Sequence, residues 1–182
     1  RSVVYVAGEG VQDLGNRQRA WEEHASEQVN RNFALVPEMP LFSDEAQAKA
    51  FSDELAAYGQ VDLLVLDTLS TAMRGLDENS SKDVEWFRGV IQAIQRRVGC
   101  AVLLVHHPSK GEPGAGRGSV AIEAGLDVNL RAEADEGSYE LRLHMTKAKN
   151  FPAWSRPIEL KAVEAGESLA LETVQRPPEK PE

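Results

Sequence analysis

The sequence predicts an α/β fold, in which a mostly parallel β-sheet flanked by helices is followed by a C-terminal antiparallel β extension. Two observations predict this class. Up to residue 105, unbroken apolar runs alternate with segments of helical composition, which is typical of strands buried in a parallel sheet. After residue 118, short strands follow one another with only turn residues between them, which is typical of antiparallel hairpins.

The parallel part is predicted from apolar runs and helix-capping residues. Its strands are predicted at 3–7, 33–36, 61–66 and 101–105. Its helices are predicted at 14–29, 43–58 and 80–97. Ser43 is the expected N-cap of the second helix and Asn79 or Ser80 that of the third, because short polar side chains bond the free N–H groups of a first turn. Gly59 and Gly99 are expected to end these helices.

The antiparallel part is predicted from alternation rather than from continuous apolar runs. Its strands are predicted at 126–131, 139–146, 158–163 and 169–174. In the second of these, Leu141, Leu143 and Met145 alternate with polar residues, so one face of the sheet is expected to meet water. We therefore predict one domain over residues 1–176 and a Pro-rich, charged tail over 177–182.

Composition restricts the possible functions and compartments. The 182 residues include 20 basic and 29 acidic side chains, a net charge of −9, which argues against a basic module that coats nucleic acid and requires any DNA site to be local. The single cysteine, Cys100, excludes an intramolecular disulfide framework and fits a reducing compartment. No apolar run approaches the roughly 20 residues of a membrane span. We expect a cytoplasmic protein.

Two carboxylates stand where predicted parallel strands end. Asp67 follows the strand at 61–66, and at that edge it could hold a Mg²⁺-bound water beside a nucleotide phosphate, the Walker B role, or merely cap the next loop. Glu9 lies between two glycines after the first strand, where it could orient an attacking water or serve only as a turn residue. The residues alone leave both alternatives open.

Two histidines leave the strand at 101–105. His106 or His107 could hydrogen-bond a terminal phosphate at the same edge. A shared metal is disfavoured, because adjacent residues on a strand point to opposite faces.

Two basic segments could meet phosphate groups. The glycine-rich stretch 111–119 has Arg117-Gly118 where a Walker A motif needs Lys-Ser/Thr, so it is not a P-loop. Together with Lys110 it could contact the backbone of a polymer, or it could be only a surface loop. Lys147 and Lys149 share one side of a continuing strand and could reach a phosphate on a neighbouring subunit, or simply guard a solvated sheet edge.

Taken in order over residues 3–152, these segments resemble the RecA-like core of hexameric replicative helicases, especially the RepA-type and primase-helicase ATPases of plasmids and phages. Five segments carry the resemblance. They are the catalytic-glutamate strand at 3–9, the Walker B strand at 63–67, the histidine sensor at 106–110, the helix and strand at 118–127, and the paired lysines at 147–150.

The resemblance implies ATP and Mg²⁺ as cofactors and a role for each candidate residue. Glu9 would be the general base, Asp67 would hold Mg²⁺ through water, and His107 would sense the γ-phosphate. Lys147 and Lys149 would act on a neighbouring subunit. The resemblance also implies a homo-oligomer that forms a hexameric ring. Single-stranded DNA in its channel would meet the segments 71–82 and 110–117, through Arg74, Lys110 and Arg117.

The chain departs from this family in one motif. No G-x-x-x-x-G-K-[ST] pattern occurs, and in the family it precedes the strand that begins at Val3. We therefore expect an N-terminally truncated ATPase core whose missing strand would lie inside the sheet, beside the strands that end near Glu9 and Asp67. The alternatives are a RecA/RadA-type recombinase, a clock-type ATPase, and a non-catalytic assembly subunit without a P-loop.

Overall fold

A computed structural model describes residues 1–29, 32–107, 119–135 and 137–174. The chain divides into two compact units, one of Arg1–Gln12 with Val29–Gly125 and one of Asp13–Gln28 with Leu126–Glu182. Each unit contains one four-stranded sheet. The predicted division of the chain at residue 176 lies outside the described residues, so the tail at 177–182 stays a prediction.

The first unit contains a parallel sheet in the order β2-β1-β3-β4. Its strands are β1 (Val3–Ala7), β2 (Phe33–Val36), β3 (Leu63–Asp67) and β4 (Ala101–Val105). The four predicted strands are confirmed. β1 pairs with β3 residue by residue, from Val3 opposite Leu63 to Ala7 opposite Asp67. The missing strand expected beside these two strands is therefore wrong, because β1 is already flanked by β2 and β3, and β3 by β1 and β4.

Five helices are described. They are α1 (Val11–Ala25), α2 (Glu45–Tyr58), α3 (Leu69–Ala72), α4 (Ser81–Val98) and α5 (Ser119–Gly125). Both predicted ends of α4 are confirmed. The Ser80 side chain accepts a hydrogen bond from the backbone N–H of Asp83, and Gly99 closes the helix in the left-handed region at φ 78°, where glycine has no steric cost.

The N-cap predicted for α2 is wrong by one residue. Asp44 is the cap, and its Oδ1 accepts from the backbone N–H groups of Ala46 and Gln47 at 2.9 and 3.0 Å. Ser43 lies one position too early to reach them. Its hydroxyl donates instead to the carbonyl oxygen of Arg74, at 3.0 Å, and so ties the loop after α3 to the start of α2.

The core of the first unit lies on one face of the parallel sheet. The apolar stripes of α2 and α4 pack there on alternate strand residues, including Val6 and Leu64, and Phe42 packs edge-on against Phe51 and Phe87. The opposite face is partly open: Leu35 and Leu103 are 41% and 44% exposed. The unbroken apolar runs of these strands predict that both faces of the parallel sheet are covered. In the structure, α2 and α4 both pack on the same face.

The second unit contains an antiparallel sheet in chain order, as predicted. Its strands are β5 (Val128–Ala134), β6 (Glu140–Ala148), β7 (Ile158–Ala165) and β8 (Ser168–Thr173). Ala20 of α1 packs on Ala165 and Ala170. By strand register these two alanines share a face with Arg142, so α1 occupies part of the face that the alternation assigns to water.

Candidate functional site

Three neighbouring strands of the parallel sheet end side by side. Ala7 on β1 lies opposite Asp67 on β3, and Asp67 lies opposite Val105 on β4. The residues that follow these positions, among them Glu9 and His107, therefore share the carboxyl edge of the sheet. Ligands of open α/β sheets bind along this edge.

The carboxylate of Glu9 accepts hydrogen bonds from two hydroxyl groups. Thr68 Oγ1 and Thr71 Oγ1 each donate to Glu9 Oε1, both at 3.1 Å. Thr68 is buried, at 1% exposure, and its side chain caps the N-terminus of α3. Gly8 allows the close approach, since a Cβ there would lie 2.6 Å from Thr71 Cγ2. Two strands and a short helix thus fix one oxygen of an exposed glutamate.

Asp67 is also held by a neighbouring strand. The Tyr5 hydroxyl donates to Asp67 Oδ2, and the backbone N–H of Gly8 donates to the Asp67 carbonyl oxygen. Tyr5 lies opposite Val65, so its side chain and that of Asp67, two residues further on, share a face. The tyrosine engages Oδ2, which leaves Oδ1 as the oxygen that can face a ligand.

The two histidines follow β4 at the same edge, and both are exposed. His106 Nε2 lies 3.9 Å from Glu78 Oε2, a carboxylate in the segment between α3 and α4. The side chains at the ends of β1 and β4 thus both contact the segment that follows β3: Glu9 contacts Thr71, and His106 contacts Glu78.

The basic candidates are more scattered. Arg74 is exposed just beyond α3. Lys110 and Arg117 lie outside the described residues. In the second unit, Lys147 stands near the end of β6, opposite Asn129, and Lys149 follows the strand, with its Nζ 3.3 Å from Asp127 Oδ1.

The donor set fits a magnesium ion that shares its coordination with a nucleotide. Among residues 1–29, 32–107, 119–135 and 137–174, no group of three or more His, Cys, Asp or Glu side chains is placed to hold a metal by itself. Mg²⁺ commonly needs only one or two protein carboxylates, with waters and phosphate oxygens completing its shell. Asp67 can supply that carboxylate. The side chains at this edge of the sheet could contact a terminal phosphate and the water beside it. The sequence contains no G-x-x-x-x-G-K-[ST] motif to bind the other phosphates.

Three residues of this edge have no predicted part in the ATP site: Tyr5, Thr68 and Thr71, the last of which begins the segment 71–82 expected to meet DNA. A signal for the threonines exists, because residues three apart at a helix start share one face and both follow Asp67 closely. Tyr5 could be found only with the register of β1 on β3, which a single sequence does not contain.

Comparison with known proteins identifies the class. The profile of the AAA domain family matches residues 1–113, more than half of the chain, and the chain belongs to this family. Among solved structures, the chain is similar to the ATPase domain of G40P, with a TM-score of 0.62 and 8% sequence identity, over 88% of this chain and 70% of that one. The chain thus has the fold of that ATPase domain, with a parallel sheet flanked by helices and an antiparallel sheet after it. No curated protein matches significantly. In the part of the chain that the structure describes, no helix combines the length and apolarity needed to cross a bilayer.

Proposed function

We propose that this protein is the ATPase core of a replicative-helicase-type motor that uses ATP and Mg²⁺ to move along single-stranded DNA. Its membership of the AAA domain family and its ATPase-domain fold support the ATPase part of the proposal. The observation that carries it is the alignment of β1 and β3, which brings Glu9 and Asp67 to one edge of the parallel sheet. Translocation on DNA rests on the resemblance to replicative helicases.

The edge residues divide the chemistry of hydrolysis between them. Bound ATP supplies the phosphoanhydride bond that water cleaves. Glu9 accepts the proton of that water on Oε2, the oxygen that the two threonines leave to other partners. Asp67 would hold a Mg²⁺-bound water through Oδ1, and the ion would supply positive charge to the phosphate oxygens. His107 donates a hydrogen bond to a terminal phosphate oxygen.

The oligomeric part of the proposal concerns the basic residues. Lys147 and Lys149 stabilise transition-state charge in a neighbouring subunit of a hexameric ring, and Lys149 leaves Asp127 to do so. Arg74, Lys110 and Arg117 face single-stranded DNA in the channel. The net charge of −9 is compatible with this arrangement, because only the channel has to be basic. We place the protein in the cytoplasm, in the replication of a plasmid or phage.

The central test is Glu9→Gln in the intact protein. This change keeps the side-chain size and removes the base, so we expect the ATPase rate to fall by at least about 100-fold while ATP binding is retained. Glu54→Gln, at an exposed position on α2, is the matched control and should be as active as the wild type. ATPase activity of Glu9→Gln equal to that of the control would refute the assigned base.

A mixing experiment tests action across an interface. Lys147→Ala should also cut turnover. Mixing it with Glu9→Gln should restore part of the activity, because an interface can then form from the intact half of each protein. If the mixture is as inactive as its components, Lys147 does not act in trans.

Two assays separate the motor from its alternatives. Unwinding of duplex DNA by the intact protein supports a helicase, whereas strand exchange without unwinding supports a recombinase. Absence of ATPase activity in the intact protein, with assembly retained, supports a non-catalytic subunit.

A further inference from the structure

We infer that Thr68 and Thr71 are positioning residues that hold Glu9 by Oε1 and thereby direct Oε2 toward the hydrolytic water. The inference rests on the proposed function, because it assigns these hydroxyls a part in the ATPase reaction. Neither threonine is a catalytic residue in this scheme. Both act through the carboxylate that takes the proton.

The distances allow both threonine hydroxyl protons to point at Glu9 Oε1. A threonine hydroxyl has one proton to donate, while a carboxylate oxygen can accept more than one hydrogen bond. The two hydroxyl oxygens lie 3.3 Å from each other and 3.1 Å from Glu9 Oε1. When both protons point at Oε1, neither is shared between the threonines. Oε1 then carries two donors, and the proton from water has to go to Oε2.

Glu9 needs such restraint because of where it lies. It is an exposed residue in the bend between β1 and α1, outside any regular element. The terminal torsion of a glutamate is broad, so an unrestrained carboxylate would rotate and present either oxygen. Two donors converging on one oxygen remove that rotation.

The threonines are themselves rigid enough to impose the orientation. Thr68 is 1% exposed and accepts a hydrogen bond from the backbone N–H of Thr71 at 3.4 Å. Thr71 lies in α3, and its Cγ2 fills the space that a side chain at Gly8 would occupy. A β-branched side chain has a restricted χ1, so only a few positions are open to each hydroxyl oxygen. Supporting contacts of this kind keep a reacting group within the productive geometry.

Thr71 is the better position for the test, because Thr68 also caps α3 and its loss would disturb the helix. In the intact protein, Thr71→Val should lower kcat for ATP hydrolysis by about 10- to 100-fold, the loss expected from a misoriented catalytic group. KM and ATP affinity should change by less than about 2-fold. Thr71→Ser, which restores the hydroxyl, should recover kcat to within about 3-fold of the wild type. Thr173→Val, at an exposed position of β8, is the matched control and should behave as the wild type.

A double variant separates a positioning role of Thr71 from a general loss of structure at the site. In single-turnover assays, adding Thr71→Val to Glu9→Gln should cause no further loss, because the residue through which Thr71 acts is already inactive. A further loss of about 10-fold would show that Thr71 acts by another route and would overturn the inference. Thr71→Ser as inactive as Thr71→Val would also overturn it, because the hydroxyl would then not be the active feature.

The outcomes distinguish this inference from the proposed function. If Thr71→Val keeps wild-type kcat while Glu9→Gln is inactive, the positioning role is wrong and the ATPase assignment stands. If Glu9→Gln itself hydrolyses ATP at the wild-type rate, the proposed base is wrong.

Discussion

At the scale of single residues, Gly8 sets how closely the end of β1 approaches α3. A Cβ at this position would lie 2.6 and 2.7 Å from two Thr71 side-chain carbons and 3.0 Å from the Asp67 carbonyl oxygen. Gly8→Ala should therefore lower the free energy of unfolding by about 1–3 kcal/mol, the usual cost of overpacking, as measured by urea denaturation. Gly89→Ala is the control, because a Cβ at that position in α4 meets no atom within 4 Å. Equal stability of the two variants would contradict the crowding at Gly8.

Cys100 supports a second prediction at this scale. The residue is buried just before β4, and burial raises the pKa of its thiol. The thiolate is the reactive form, so near pH 8 a thiol reagent should modify the folded protein much more slowly than the urea-unfolded protein. Equal rates in the two states would show that Cys100 is accessible in the fold.

At the scale of elements, α2 and α4 are joined through Asp53. Its carboxylate lies 2.6 Å from Lys49 Nζ in α2 and 3.2 Å from Arg97 Nη2 in α4. The hydrogen bond from Lys49, helped by the charges of both cations, holds the pKa of Asp53 below its ordinary value.

The sign of the resulting pH dependence follows from that lowered pKa. The stabilising contribution of Asp53 is complete above the unfolded-state pKa of about 3.9 and disappears as the pH falls through the lower folded-state pKa. Asp53→Asn should therefore be less stable than the wild type near pH 6, and the difference should shrink below about pH 4. Urea denaturation across this range measures it. A difference that stays constant with pH would show that the ion pairs contribute nothing.

At the scale of the whole molecule, we expect the apolar face of the antiparallel sheet to promote association between copies of the chain. Leu169 and Leu171 on β8 lie on one face and are 44% and 53% exposed. Exposed apolar patches favour association in water. Leu169→Thr with Leu171→Thr should lower the average mass of the 182-residue chain in light scattering at equal concentration, because threonine keeps strand propensity and removes apolar surface. An unchanged mass would exclude this face as a cause of association.

The sequence by itself determined most of the elements of the parallel sheet. Apolar runs such as that of β3 mark strands, and Ser80 and Gly99 mark the ends of α4, because these features depend on residues close together in the chain. The same runs located Glu9, Asp67 and the histidines at strand ends, and parallel order brings those ends to one edge.

Only the tertiary structure decided which strands are neighbours and what surrounds the carboxylates. The expected gap beside β1 does not exist, because β1 is flanked by β2 and β3. Thr71 reaches Glu9 across 62 positions of the chain, and Tyr5 reaches Asp67 across 62. Local patterns state which residues form a strand or a turn. Contacts between distant segments are selected by packing and register over the whole sheet, and these depend on every element at once.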